Sequence, residues 1–239
     1  MTRALGARSA RAGPRLPSRR LPSSLRSSLQ ATPAAGLLVV TAVDAERDAV
    51  AAGWPGEVVA VGVGSAAAAA GTARLLATGD YRAVVSAGIA GGFARRIEVG
   101  GVALATESIA ADLGADSPEG FIPLSVLGFG VDRLPVDADL LAALRAVLPE
   151  AVAGPILTVT TVTGTTVATR AIAGRHPDAV AEAMEGFGVA TAAAGAGIPF
   201  AEIRTISNPV GPRDRGGWRI ADALAALTDV GRVLGKLGG

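Results

Sequence analysis

The chain has 239 residues, about one large domain or two small ones, and is 50% apolar, 18% charged and 3% aromatic. It has no cysteine and one histidine, His176, which excludes a disulfide framework, a cysteine nucleophile and any thiolate or multi-histidine metal centre; no metal is expected. The net charge of +1 hides an asymmetry, because residues 1–36 hold seven arginines and no acid, leaving 15 basic against 21 acidic residues, about −6, in residues 37–239.

Residues 1–36 are rich in Arg, Ser and Pro and lack hydrophobic periodicity. They are expected to form a disordered basic extension; an organelle transit peptide is the alternative, without the apolar helical face such peptides carry. A single domain over residues 37–239 follows. Its acidic balance offers no basic stripe for phosphates, so no nucleic-acid partner is expected. No uncharged apolar run reaches membrane length, so no membrane partner is expected either, and the chain reads as cytoplasmic.

Residues 37–43 are a continuous apolar run, as a strand buried on both faces would be. A helix is predicted over 44–52 with Asp44 near its N-cap, a strand over 57–63 and an alanine-rich helix over 65–77 capped by Ser65. A strand over 82–87 ends in Gly88-Ile89-Ala90-Gly91-Gly92, and another spans 101–107. Residues 108–135 form a long irregular stretch, the kind that often carries function. A helix over 137–148, a strand over 155–162, a short strand over 179–183 and a helix over 185–194 come next. A strand over 200–207 and a helix over 220–237 complete the chain. Strand alternating with helix predicts an α/β domain, with a largely parallel sheet covered on both faces.

Four segments carry candidate chemistry. Val61-Gly62-Val63-Gly64-Ser65-Ala66-Ala67 resembles a dinucleotide fingerprint, but the following strand lacks the acid that would hold a ribose; a tight strand-to-helix turn is the favoured reading. Gly88–Gly92 lies at a strand's carboxyl end, where open α/β sheets bind ligands, although any tight turn also wants glycine. In Met184-Glu185-Gly186 a carboxylate opens a helix beside a flexible apolar residue. That pair suits a grip on vicinal hydroxyls, or a glutamate placed there by the helix dipole. Arg204, Ser207 and Asn208 cluster at the end of a core strand, a costly placement unless something uses them.

Thr41-Ala42-Val43-Asp44-Ala45-Glu46, Gly88-Ile89-Ala90-Gly91-Gly92, Ala183-Met184-Glu185-Gly186 and Ile203-Arg204-Thr205-Ile206-Ser207-Asn208 occur together in the order and spacing of the purine nucleoside phosphorylase and hydrolase superfamily, which residues 37–237 resemble. Within it the chain is similar to the 5'-methylthioadenosine/S-adenosylhomocysteine nucleosidases and, in that branch, to the futalosine hydrolases. The resemblance implies a three-layer α/β/α sandwich around a central mixed, largely parallel sheet. It further implies a cofactor-free N-ribosyl hydrolase, a small nucleoside as ligand, a homodimer, and a place in the futalosine route to menaquinone. Glu46 matches the glutamate that activates water, and Arg204 the arginine beside that water. Glu185 matches the acid on the ribose 2'- and 3'-hydroxyls, and Met184 the residue packing on the sugar. Ile89, Ala90 and Gly91 line the nucleophile side, Val162 and Thr163 meet the base, and Ser207 adjoins Asn208. Val162 stands where a Phe is usual.

Asn208 is the informative departure, since the adenine-specific members have Asp there. A 6-oxopurine presents acceptors at O6 and N7; an Asn amide donates to them, whereas an ionised Asp sets acceptor against acceptor. An unpaired buried polar group costs about 1–3 kcal/mol, so a hypoxanthine nucleoside is expected over an adenine one by about tenfold or more. Water is expected as nucleophile rather than phosphate, because the Gly88–Gly92 segment lacks an arginine and Glu46 would repel a dianion. For the 5' end of the substrate, Phe121, Ile122, Leu124 and Phe129 are candidates for an apolar pocket. Arg213 or Arg215 would hold a carboxylate, unless residues 209–217 are a solvated loop. A nucleosidase or phosphorylase for another 5'-modified purine nucleoside, and a non-catalytic nucleotide-binding module, are the competing readings. His176 reads as a surface or turn residue.

Overall fold

The computed structural model of the chain describes residues 36–237, so the expected basic extension falls outside the described residues except for Gly36. Strand β1 (Leu37–Thr41) is buried at all five positions, which is why its sequence shows no alternation. Helix α1 (Asp44–Gly53) follows, then β2 (Glu57–Ala60), α2 (Ser65–Thr78), β3 (Ala83–Gly92) and β4 (Val102–Ala110). The stretch read as irregular contains a small hairpin, β5 (Gly114–Ala115) and β6 (Ile122–Pro123), the single turn α3 (Leu124–Leu127), and β7 (Arg133–Pro135). Helix α4 (Ala138–Val147) is capped by the Asp137 side chain, which accepts from the Leu140 N–H. Strand β8 (Val152–Thr158), helix α5 (Thr166–Arg175), strand β9 (Ala181–Ala183), helix α6 (Gly186–Ala196), strand β10 (Phe200–Pro209) and helix α7 (Ile220–Leu234) complete the fold.

Three layers result, as expected. One face of the sheet packs through Val85, Ala87, Ile203 and Leu104 on Val50, Leu144, Leu227 and Val230 of α1, α4 and α7. The other packs through Leu38, Val40, Val84 and Ala181 on Ala68, Val189, Ala190 and Ala193 of α2 and α6. Burying a Leu, Ile or Val side chain contributes about 1.5–3 kcal/mol, so these two faces hold the layers together. The sheet is mixed: β3 pairs in parallel with β1 and β10, and antiparallel with β9. Because β10 pairs β4, β4 pairs β8 and β8 pairs β9, the strands β3–β10–β4–β8–β9 close on themselves, with β1 and β2 extending from β3.

Three expectations change. The Gly88–Gly92 run is not a turn but the second half of β3, paired with β10 along its length. The strand predicted to reach Val162 leaves the sheet after Thr158, and α5 was not foreseen, its apolar residues being too scattered to mark a face. Among the described residues no helix is long and apolar enough to cross a membrane.

Candidate active site

The site is built on the adjacent strands β3 and β10, and on the starts of α1 and α6. Glu46 is the third residue of α1, where an acid side chain reaches back to its own helix start. Its Oε2 accepts the Ala42 N–H at 2.9 Å and the Val43 N–H at 3.3 Å. Its Oε1 accepts the Ile89 N–H of β3 at 2.9 Å, and the side chain is buried. Both oxygens are thereby fixed by backbone donors from two elements, which orients a buried carboxylate without a neighbouring lysine.

Arg204 is the largest fully buried side chain of the domain. Its Nε donates to Glu202 Oε1 at 2.9 Å, its Nη2 to Ser86 Oγ at 3.1 Å and its Nη1 to Glu185 Oε2 at 3.4 Å. Burial alone would lower the guanidinium's pKa, but Glu202, Glu185 and Glu46 outweigh it and hold the group firmly protonated. Gly88 sits between the two functional groups: a Cβ there would lie 2.7 Å from both Arg204 Nη1 and Glu46 Oε1. The glycine of this strand is therefore needed for the space it leaves.

Glu185 is the residue before α6 and is buried. Its Oε1 accepts the Gly64 N–H at 3.1 Å, and its Oε2 the Met184 N–H at 3.3 Å. Gly64 has φ +89°, a conformation that favours glycine, and it rather than the expected Ser65 caps α2, with no side-chain hydrogen bond. The segment that resembled a dinucleotide fingerprint thus makes a strand-to-helix turn that holds the Glu185 carboxylate. Met184 is half-buried beside it.

Further along β10 the register with β3 shifts between Ile206 and Asn208, so that Asn208 faces Gly91. Such a bulge re-aims the side chain that follows it. The Asn208 Oδ1 accepts the Ser207 hydroxyl at 2.8 Å, and its Nδ2 donates to Pro209 O at 3.0 Å. That leaves the second amide hydrogen of Nδ2 without a partner among the described residues. Ser207 Oγ also lies 3.3 Å from Ala90 O, tying the two strands where the bulge begins.

On the other side of β3, Gly91 is in register with Glu182 of β9. Glu182 accepts the Thr163 N–H at 2.8 Å and the Thr163 hydroxyl at 2.5 Å. Burial pushes this carboxyl above its ordinary value, and the two Thr163 hydrogen bonds pull against it. The Thr163 N–H is thus occupied by a protein carboxylate. Val162 is 39% exposed and stands free beside it.

The structure therefore gathers Glu46, Ile89, Arg204 and Glu185 around Gly88, and carries Ala90, Gly91, Ser207, Asn208, Thr163 and Val162 on the neighbouring positions of the same strands and loop. Sequence reading missed Ser86, Glu202, Glu182 and Gly64. The alternation of buried polar residues Glu202 and Arg204 along β10 was the available signal for Glu202. The 5' candidates are dispersed: Arg175 lies over the Phe121 ring, 5.0 Å from its centroid, and Phe129 is 68% exposed. Arg213 lies over the Trp218 ring at 5.3 Å, while its backbone N–H donates to Gly164 O at 3.1 Å, beside Thr163. Arg215 lies in an exposed 3-10 turn. His176 ends α5, half-buried, its pKa lowered by burial and then by Arg175 and Arg133, away from the cluster.

Comparison with known proteins gives the family and the fold. The family model of the phosphorylase superfamily matches residues 33–237. A futalosine hydrolase of Streptomyces coelicolor is 48% identical over 226 residues, covering 84% of this chain and 94% of that protein. A futalosine hydrolase of Acidothermus cellulolyticus is 44% identical, covering 83% of this chain and 89% of that protein. Among solved structures, an S-adenosylhomocysteine nucleosidase of Streptococcus pyogenes in complex with 5-methylthiotubericidin superposes with a TM-score of 0.74 at 19% identity, over 85% of this chain and 97% of that one. That likeness is one of fold.

Proposed function

This chain belongs to the phosphorylase superfamily, and we propose that it hydrolyses the N-glycosidic bond of futalosine, releasing hypoxanthine and dehypoxanthine futalosine. The relatives at 48% and 44% identity are futalosine hydrolases, and the whole arrangement around Gly88 lies inside the matched region. The observation that carries the reading is the buried Glu46 carboxylate, aligned by three backbone N–H groups and separated from Arg204 by a residue without a side chain.

Glu46 is our general base. It takes a proton from a water beside Arg204 as the water oxygen bonds to C1' and the C1'–N9 electron pair leaves with the base as its anion, which takes up a proton from solvent while Glu46 returns its own to solvent. Positive charge develops on the ribose as that bond breaks, and it is stabilised by the fixed negative charge of Glu185 and, until the proton is transferred, by that of Glu46. Glu185 accepts from the 2'- and 3'-hydroxyls, Met184 packs on the sugar, and Ile89, Ala90 and Gly91 form the wall on the nucleophile side. The free Asn208 amide hydrogen donates to the departing 6-oxopurine, and Ser207 holds that amide in orientation. Val162 and the Thr163 carbonyl are left to contact the base, and Arg213 is our choice for a 5' carboxylate because it adjoins Gly164. The exposed Val126, Phe129 and Val131, together on one segment, support pairing with a second copy, and we assign the protein to the cytoplasm.

Incubating the full chain with futalosine in phosphate-free buffer tests the reading. Stoichiometric hypoxanthine release is expected, faster than adenine release from 5'-methylthioadenosine. No release from a folded protein would overturn it.

A further inference from the structure

We propose that Glu202 is a positioning residue: it neutralises and aims Arg204, leaving the charge of Glu185 and Glu46 for the substrate. Four ionisable groups crowd this site, three carboxylates and one guanidinium, and Glu202 is the carboxylate that no part of the reaction above uses. It lies two residues before Arg204 on β10, so both side chains leave the same face of the strand. Glu202 is 1% exposed and Arg204 1% exposed, so this pair has no access to solvent.

The distances rank the partners of Arg204. Glu202 Oε1 takes the Nε–H at 2.9 Å, whereas Glu185 Oε2 lies 3.4 Å from Nη1. The cation is thus satisfied from behind, and its hold on Glu185 stays long. Ser86, in register with Glu202 across β3 and β10, accepts from Nη2 and fixes the remaining rotation of the guanidinium plane. Glu202 is itself trapped. A Cβ on Gly186 would lie 2.2 Å from its Oε2, so the first residue of α6 is one that leaves room for the carboxylate. That Oε2 is buried without a hydrogen-bond partner among the described residues. Burying an ion pair is costly unless each charge is matched, so a carboxylate kept here at this cost points to a role beyond packing.

If Glu202 were neutral, Arg204 would turn its whole charge on Glu185. The carboxylate meant for the ribose hydroxyls would be drawn to the guanidinium, and the field at the developing cation would weaken. The charged groups facing Glu202 are Arg204 on its own strand, Glu185 at the start of α6 and, beyond Arg204, Glu46 of α1; Ser86 and Ser108 face it from β3 and β4. Burial raises the Glu202 carboxyl, Arg204 opposes this, and the net direction is upward. Glu202 therefore takes up a proton, as pH falls, before an ordinary glutamate does, and activity is lost with it.

The inference rests on the hydrolase reading, so the test has one arm that uses turnover and one that does not. In the first, E202Q retains the Nε–H acceptor but loses the charge; kcat for futalosine is expected to fall about tenfold or more while KM changes less than about threefold. The acid limb of its kcat–pH profile should move to lower pH, and E202D should recover part of the lost kcat. A residue of merely structural importance would lower Tm and the active fraction, but leave kcat per active molecule and the acid limb in place. Wild-type kcat and an unmoved acid limb in a folded E202Q overturn the proposal. In the second arm, the Arg204 Nε–H resonance of arginine-15N-labelled wild-type protein, assigned by its loss in R204K, is followed against pH. It is expected to shift over the same pH range as the acid limb; a resonance that stays fixed there overturns the proposal even where E202Q fails to fold. If wild-type protein does not release hypoxanthine, the hydrolase reading fails by itself. The resonance still decides whether Glu202 governs Arg204, by moving, or by staying fixed, as pH falls towards the ordinary carboxylate range.

Discussion

Gly88→Ala should separate catalysis from folding more sharply than any substitution of a charged residue. The added Cβ would lie 2.7 Å from Glu46 Oε1 and from Arg204 Nη1, and 3.0 Å from Glu46 Cδ. Ordinary van der Waals contact would require the neighbours to retreat by about 0.7 Å. Glu46 has nowhere to go, since Oε2 is held by Ala42 and Val43 and Oε1 by Ile89. Arg204 is held by Glu202 and Ser86. One charge-assisted hydrogen bond must therefore stretch or break, at about 1.5–3 kcal/mol, alongside an overpacking cost of about 1–3 kcal/mol. We expect a loss of about 2.5–6 kcal/mol in stability, or roughly 5–24 °C in Tm for a domain of this size. Displacement of the base from its water should lower kcat about 10²-fold. The control is Gly174→Ala in α5, where a Cβ meets nothing within 4 Å; it should leave kcat unchanged and Tm equal or higher. The assay is hypoxanthine release at saturating futalosine, with Tm from calorimetry. A Gly88→Ala protein with kcat within threefold of wild type would refute the placement of Glu46 and Arg204 about this residue.

Three further outcomes are expected. Glu46→Gln should lower kcat by about 10²–10⁴-fold while futalosine binding, measured by calorimetry, persists. Because both Glu46 oxygens accept backbone N–H groups, the amide must also turn its NH2 on one of them, so Tm should fall as well. Asn208→Asp replaces the free amide hydrogen by a lone pair, and kcat/KM should shift about tenfold from futalosine towards its 6-amino analogue; an unchanged ratio would remove Asn208 from base selection. For Glu182, burial raises the folded carboxyl above its unfolded value, so its ionisation destabilises the fold as pH rises through the ordinary carboxylate range and above. Relative to wild type, Glu182→Gln should therefore gain stability between pH 4 and pH 7, read from urea unfolding at both; a constant difference would count against the raised value.

Much of the site was legible because its residues lie at element ends, where local sequence patterns are strong. The polar end of β10 marked Arg204 by itself, whereas Glu46 was reached through the family resemblance of the Thr41–Glu46 segment, which the all-apolar run of β1 places at the start of α1. Two things were hidden for physical reasons. Gly88–Gly92 looks like a turn because glycine's usual role is conformational, but here the glycines are strand residues whose missing side chains admit Arg204, Glu46 and Ile206. The alternation along residues 200–207 would place Asn208 on the face of Arg204; the bulge after Ile206 turns it towards Gly91, and a bulge depends on cross-strand pairing that no local pattern encodes. Glu182 and Glu202 escaped for a related reason. Each partners a group that is near only through the closed sheet, Thr163 in one case and the start of α6 in the other.

The choice between water and phosphate follows from the same geometry. A phosphorylase binds its dianion with several donors, typically backbone N–H groups and arginines. The donors available at this site, the Ala42, Val43 and Ile89 N–H groups, all end on Glu46, and Arg204 ends on Glu202, Ser86 and Glu185. An incoming phosphate would find its donors consumed by carboxylates and would itself be repelled by three of them. Hypoxanthine release should therefore proceed at the same rate in phosphate and in chloride buffers of matched ionic strength, with a free reducing sugar rather than a sugar 1-phosphate as the second product. Glu46→Ala removes the competitor and frees three N–H donors. In that variant formate, a small carboxylate, should restore part of the lost rate, whereas it should leave wild-type enzyme unaffected. Phosphate-dependent turnover by the wild type, with a sugar phosphate detected by mass spectrometry, would show that the donors are not committed to Glu46 and would replace hydrolysis with phosphorolysis.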